Sequence, residues 1–330
     1  MKAIKTLFAT ILILTTLSAC SSSKIESPTH KARASACLVT PSVQQPGSPD
    51  KDLGFDLVEA KVVYGLNARE VEVRSNSSSQ QIEELLFTSL QSGCLYFVAS
   101  DPKIAPKVIE FVGNHKYVVA LIVGEEPPID QPANVRWVAD DFTSGAALAG
   151  FAAAAKSTTD NVYLVVEDNF FSADKVTRAF KTGVAAFNQQ LETKVDLTVL
   201  NVKSSSQLED ALKEMNSQVV VAVFAGSEIW KILEESEIVT FLGADLQLGQ
   251  STDLDLRVIA SVERNFNSAV LSTAKDLFDK KFNLDPALVQ RDALLNGFIE
   301  LTPKDDTVFD ATISDLINGY KARILTAKAS

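Results

Sequence analysis

Short, nearly unbroken apolar runs alternate with amphipathic stretches along almost the whole chain, and this alternation restricts the fold more than any other feature. The runs at 94–99 (CLYFVA), 117–123 (YVVALIV), 162–166 (VYLVV), 195–202, 219–224 (VVVAVF), 238–244 and 258–262 read as strands buried on both faces. Residues 68–74 (AREVEVR) alternate as a half-exposed strand does, and 135–138 form a short strand. Between them lie helical patterns at 53–64, 80–91, 104–112, 143–156, 172–187, 206–215, 227–235, 265–281 and 309–327. The helix at 80–91 follows the capping serines Ser77, Ser78 and Ser79 and puts Ile82, Leu85, Leu86 and Leu90 on one face. Strands of this kind separated by helices predict an α/β protein with parallel sheets covered on both faces. The strands are too many for one comfortable open sheet, and a Pro-rich connection at 124–133 divides the series. Two doubly wound lobes are therefore expected. The first comprises 36–138 plus about 246–285, the second 139–245 plus about 286–330, with a ligand cleft between them beyond the carboxyl ends of the strands.

The N-terminus is of another kind. Lys2 and Lys5 precede a short apolar run (FATILIL) that ends in Leu17-Ser18-Ala19-Cys20. A basic start, a short apolar core and small residues before the cut read as a secretory signal over 1–19. Leu-Ser-Ala-Cys also resembles the bacterial lipobox, which implies cleavage before Cys20 and a lipid on its thiol. An ordinary signal peptide with a chance cysteine is the alternative. The polar stretch 20–35 lacks the apolar residues to fold and reads as a flexible tether. The chain is thus expected at a cell membrane, lipid-anchored and facing the extracytoplasmic side. Outside the cytoplasm Cys37 and Cys94, each near the start of an apolar run, could oxidise to a disulfide if their strands are neighbours, or could remain two buried thiols.

Several functions lack the residues they need. A formal charge of −11 without a basic run is a poor basis for nucleic-acid binding. There is no G-x-S-x-G elbow, Walker A loop or G-x-G-x-x-G turn. The two histidines, His30 and His115, have no partners at ligand spacing, so neither metal nor cofactor is expected. Asp140-Asp141 and Asp305-Asp306 read as helix caps and solvated turns. Binding is favoured over catalysis.

Seven segments, in order along the chain, resemble the basic membrane protein family. Asp50-Lys51-Asp52-Leu53-Gly54-Phe55-Asp56 is similar to its D-D-K-S-F-N segment, and Asp141 to Gly150 to its E-E-x-x-G-Y-L-A-G helix. Phe180-Lys181-Thr182-Gly183 resembles F-x-x-G, and Phe224-Ala225-Gly226 a strand end that closes on ligand. Gly243-Ala244-Asp245-Leu246-Gln247 resembles G-V-D-x-D-Q, Ser261-Val262-Glu263-Arg264 resembles S-V-x-K, and Asn296 to Leu301 resembles N-G-G-V-x-L. Members of that family are purine-nucleoside-binding lipoproteins of ABC transporters with the type I periplasmic-binding-protein fold. The resemblance implies a small-molecule solute of nucleoside type as ligand, with an ABC permease and its ATPase as partners.

It also implies roles. Phe55 would stack on the base, although it could instead be a core aromatic of the first helix. Asp56 stands where the family has Asn beside the base edge, and an ionised carboxylate can only accept hydrogen bonds there. Asp245 would accept from ribose hydroxyls, or else cap the element after its strand. Gly226 would let backbone approach the ligand. Arg264 replaces a lysine and keeps its charge with a different geometry. Elsewhere the pattern departs. The family's Thr-Asp strand end reads Thr40-Pro41, its Gly-Gly loop is replaced by SVQQPGSP at 42–49, and the Asp expected after 117–123 is missing. The runner-up reading is therefore a surface interaction or sensory lipoprotein that keeps the fold around a vestigial site.

Overall fold

A computed structural model describes residues 34–125, 130–238, 240–244, 257–284 and 294–329. The signal segment, Cys20 and Asp245 lie outside the described residues. The first sheet is wholly parallel. It contains β1 (Ser35–Pro41), β2 (Asn67–Val73), β3 (Cys94–Ala99), β4 (Val119–Gly124) and β5 (Val135–Ala139), in the order β2-β1-β3-β4-β5. Helices α1 (Asp50–Tyr64), α2 (Ser79–Gln91) and α3 (Ala105–Gly113) connect these strands. The second sheet holds β6 (Asn161–Glu167), β7 (Asp196–Val202), β8 (Val220–Phe224), β9 (Thr240–Ala244), β10 (Val258–Arg264) and β11 (Ile299–Pro303). Its order is β11-β10-β9-β8-β6-β7, and β11 runs antiparallel to β10. With it go α4 (Phe142–Lys156), α5 (Ala173–Leu191), α6 (Ser205–Glu214), α7 (Ser227–Glu234) and α9 (Ala311–Ala329), while α8 (Asn267–Phe278) packs on α1, β3 and β4.

The inner strands are buried because their residues are apolar on both faces, and β4, β5 and β8 have no exposed position, whereas β2, β7 and β11 at the sheet edges are partly exposed. Helix α4 is made of small residues and is buried nearly throughout. Its thinness admits α5 at close range. A Cβ on Gly150 would strike the carbonyl of Phe180, and one on Gly183 the carbonyl of Ala147. Neither glycine can be replaced without parting the two helices.

The structure corrects two sequence expectations. β1 begins at Ser35, itself buried, so the last position of the expected tether belongs to the sheet. Segment 246–285 does not all return to the first lobe. Among the described residues of this segment β10 pairs with β9 in the second sheet and α8 goes back, held by Arg136 of β5, which bonds Ser272, Thr273 and Asp276. The apolar VIASV run makes 258–262 a strand, and the open edge of β9 takes it into the second sheet. Of the two outcomes open for Cys37 and Cys94 the structure has the disulfide, with Cα atoms 5.9 Å apart, although the two residues are not opposite each other. An irregularity after Ser35 pairs Ser35 with Cys94 and Cys37 with Phe97.

Candidate functional site

In a doubly wound sheet the crevice opens where successive strands change direction of growth. That point lies between β1 and β3 in the first sheet and between β6 and β8 in the second. At the first, Asp50 opens α1 and is buried. It accepts hydrogen bonds from Thr40 Oγ1 (2.9 Å), Ser48 Oγ (3.1 Å) and Ser100 Oγ. Burial raises its pKa above the usual carboxylate range, although the three hydroxyls pull the other way. At the second, Glu167 ends β6 and accepts the Gly226 N–H at 2.8 Å, at the start of α7.

The β1–α1 connection, residues 42–49, spans these two points. Gln44 donates to Thr40 and Glu70 on the first lobe. Pro46 then reaches the second lobe. Its carbonyl accepts the Phe171 N–H at 2.7 Å, and its ring packs so near Gly226 that a Cβ there would stand 3.1 Å away. Gly47 has φ +74 and faces the ring of Phe170, leaving no room for a side chain.

Beside this segment a cavity of about 490 Å³ separates the lobes. Ile109, Ile122, Trp137 and Phe171 supply apolar wall, and Ser100, Asp140, Glu125 and Lys175 supply polar atoms. Glu125 follows β4 and Lys175 lies on α5, so their ion pair bridges the lobes; Ser172 Oγ also donates to Glu125, at 3.3 Å. A second cavity of about 460 Å³ is lined by the segment's own Val43, Gln45 and Ser48, with Arg74, Asp101 and Lys103.

The expected ligand residues are distributed otherwise. Phe55 is 58% exposed on α1, neither in the core nor in the cavity wall. Gly226 faces Pro46. Arg264 and Asp56 sit at a crossover between lobes. Arg264 ends β10, just before the chain returns to α8, and binds Asp140, just after β5, by Nε–Oδ1 at 2.9 Å and Nη2–Oδ2 at 3.3 Å. Its guanidinium lies 4.0 Å from the centre of the Phe142 ring, and Arg264 and Asp140 are only 4% and 3% exposed. Asp56 Oδ2 accepts the Phe266 N–H at 3.1 Å on the same crossover. Burial, with the negative charges of Asp52 and Glu59, pushes its pKa up to about 7. None of Phe55, Asp56, Gly226 and Arg264 lines the larger cavity; Asp140, the partner of Arg264, does.

Asp140 was expected to be a cap or solvated turn. Asp141 occupies the N-cap position of α4 without a side-chain bond to the helix backbone, and its carboxylate accepts from the Thr143 and Ser144 hydroxyls, while Asp140 points inward to Arg264. Trp137, Glu125, Lys175 and Glu167 carried no motif in the sequence. Glu125 and Glu167 share one signal, a position at or just beyond a strand's carboxyl end, whereas Trp137 lies within β5 and Lys175 on α5. Among the described residues no group of three His, Cys, Asp or Glu side chains could hold a metal ion. No described helix is long and apolar enough to cross a membrane.

No protein-family model matches the sequence, and no curated protein does. Solved structures do match in fold. An ABC transporter solute-binding protein from Aeropyrum pernix K1 superposes with TM-score 0.66 at 14% identity, over 89% of this chain and 92% of that one. One from Conexibacter woesei gives TM-score 0.65 at 15% identity, over 89% and 97%. A transcriptional activator of the comK gene from Bacillus halodurans gives 0.61 at 15%, over 88% and 96%. At these identities the likeness concerns the fold alone: this chain has the two-lobed α/β fold of the type I periplasmic binding proteins.

Proposed function

We propose that the protein is an extracytoplasmic solute receptor of an ABC importer, anchored through a lipid on Cys20, whose ligand sits between the two lobes. The observation that carries this reading is the interlobe cavity at the carboxyl ends of the strands. Its volume of about 490 Å³ falls within the range of small-molecule sites. Apolar wall from Trp137, Ile122 and Phe171 suits a flat ring, and the bridging Glu125–Lys175 pair suits polar substituents. A nucleoside or similar polar ring compound fits both this lining and the resemblance to the basic membrane protein family. Closure of the lobes on the solute would present a single surface to a permease and its ATPase. In this reading Arg264 and Asp56 position the hinge instead of touching the solute, and Asp245 remains a candidate ligand residue by resemblance.

The test is thermal unfolding of a soluble form beginning at Ser21, against nucleosides, bases and sugars in excess. A compound at 100 times its Kd stabilises by about 2.7 kcal/mol. A shift with nucleosides supports the whole reading. A shift with another class keeps the receptor and replaces the ligand. No shift with any compound favours a surface interaction or sensory lipoprotein. The observation on that side is specific: residues 42–49 reach both switch points, and Arg264 is already satisfied by Asp140.

A further inference from the structure

We propose that residues 42–49 are an internal occupant of the cleft, a strap that seats at both switch points and holds the lobes together when no solute is present. The inference rests on the cleft being the working site. The strap is anchored to the first lobe at both ends, by β1 before it and by α1 after it. Ser48 and Thr40 share the Asp50 carboxylate, which fixes the strap's return, and Gln44 bonds Thr40 and Glu70 at its start.

Its middle belongs to the second lobe. The Pro46 carbonyl takes the Phe171 N–H, at the turn that leads into α5. The Pro46 ring covers Gly226, whose own N–H is held by Glu167. Gly47 turns in the left-handed region beneath the Phe170 ring. A main-chain carbonyl, a ring and a side-chain-free turn thus meet the groups a solute between the two switch points would meet. The strap borders both cavities, contributing Pro49 to one and Val43, Gln45 and Ser48 to the other, while Phe171 lines both. A solute larger than one chamber can enter only if the strap lifts from Phe170 and Phe171.

The consequence is a closed cleft in the solute-free protein. Hydrogen exchange read by mass spectrometry on the full-length chain without added solute tests it. The Phe171 amide should be protected in the wild type. In Gly47→Val, which combines a positive φ with a side chain against Phe170, its exchange should accelerate about tenfold, while amides inside β3 and β8 keep their rates. Pro46→Ala introduces no clash, removes ring atoms from Gly226, and should move Phe171 in the same direction. A Phe171 amide unprotected in the wild type, or as protected in both variants as in the wild type, would overturn the proposal. Because no solute is added, an open cleft would refute the strap without refuting solute binding. A ligand panel without hits would likewise leave a protected Phe171 standing as evidence for the strap.

Discussion

Asp56→Asn restores the residue of the similar family at a position where this chain carries a carboxylate, and the structure specifies what should follow. Asp56 accepts the Phe266 N–H at a crossover between lobes and is pushed from 3.8 up to about 7, first by burial and then by Asp52 and Glu59. An unfolded chain releases this proton near pH 4. The folded protein holds it to about pH 7. Below pH 4 both states are protonated and the group is neutral in its effect. As pH rises from 4 to 7 the unfolded state alone gains the charge, so stability from this group declines and is lost once pH passes 7. About three pK units at 1.36 kcal/mol each give an upper limit of about 4 kcal/mol, reduced by whatever solvent reaches the carboxyl. Asparagine keeps an acceptor for Phe266 and never ionises. The variant should match the wild type near pH 4 and exceed it increasingly up to pH 8. At about 2 °C per kcal/mol for a chain of this size, the gain in Tm at pH 8 approaches about 8 °C. Thermal unfolding of both proteins at pH 4, 6 and 8 checks this. An equal difference at all three values, or a less stable variant at pH 8, would refute the reasoning.

Further consequences are open to measurement. Arg264→Ala leaves Asp140 buried without its partner, so urea unfolding should show a loss of about 3–5 kcal/mol; a loss below about 1 kcal/mol would mean that the pair is solvated. The Cys37–Cys94 bond closes a loop with a sequence separation of 57, so Cys37→Ser should destabilise by about 4 kcal/mol, and the wild type should show no thiol for either residue. Labelled palmitate or glycerol should enter the wild type and not Cys20→Ser; incorporation into the variant would remove the lipobox.

The class of fold was legible because apolar runs and helix faces are local properties. β4, β8 and α2 lie close to where composition and spacing put them. What the sequence concealed depends on distant partners. Asp140 and Asp141 are the same residue side by side, yet one turns inward to an arginine 124 residues away while the other holds two nearby hydroxyls. Arg264 was legible as a charge and not as the buried partner of Asp140. The placement of β10 depends on an edge left open by β9, which no window of residues reveals. The strap was visible only as an odd replacement for a Gly-Gly loop; its contacts with Phe170, Phe171 and Gly226 join segments more than 100 residues apart.

The chain has two tryptophans, which permits a direct test of solute binding between the lobes. Trp137 lines the larger cavity, whereas Trp230 packs against Phe241 in the second lobe. In Trp230→Phe the remaining indole reports on the cavity alone. Titration with a compound that stabilises the protein should change Trp137 emission saturably, over the same concentrations that raise Tm. A compound that raises Tm and leaves Trp137 emission unchanged would contradict binding in this cavity.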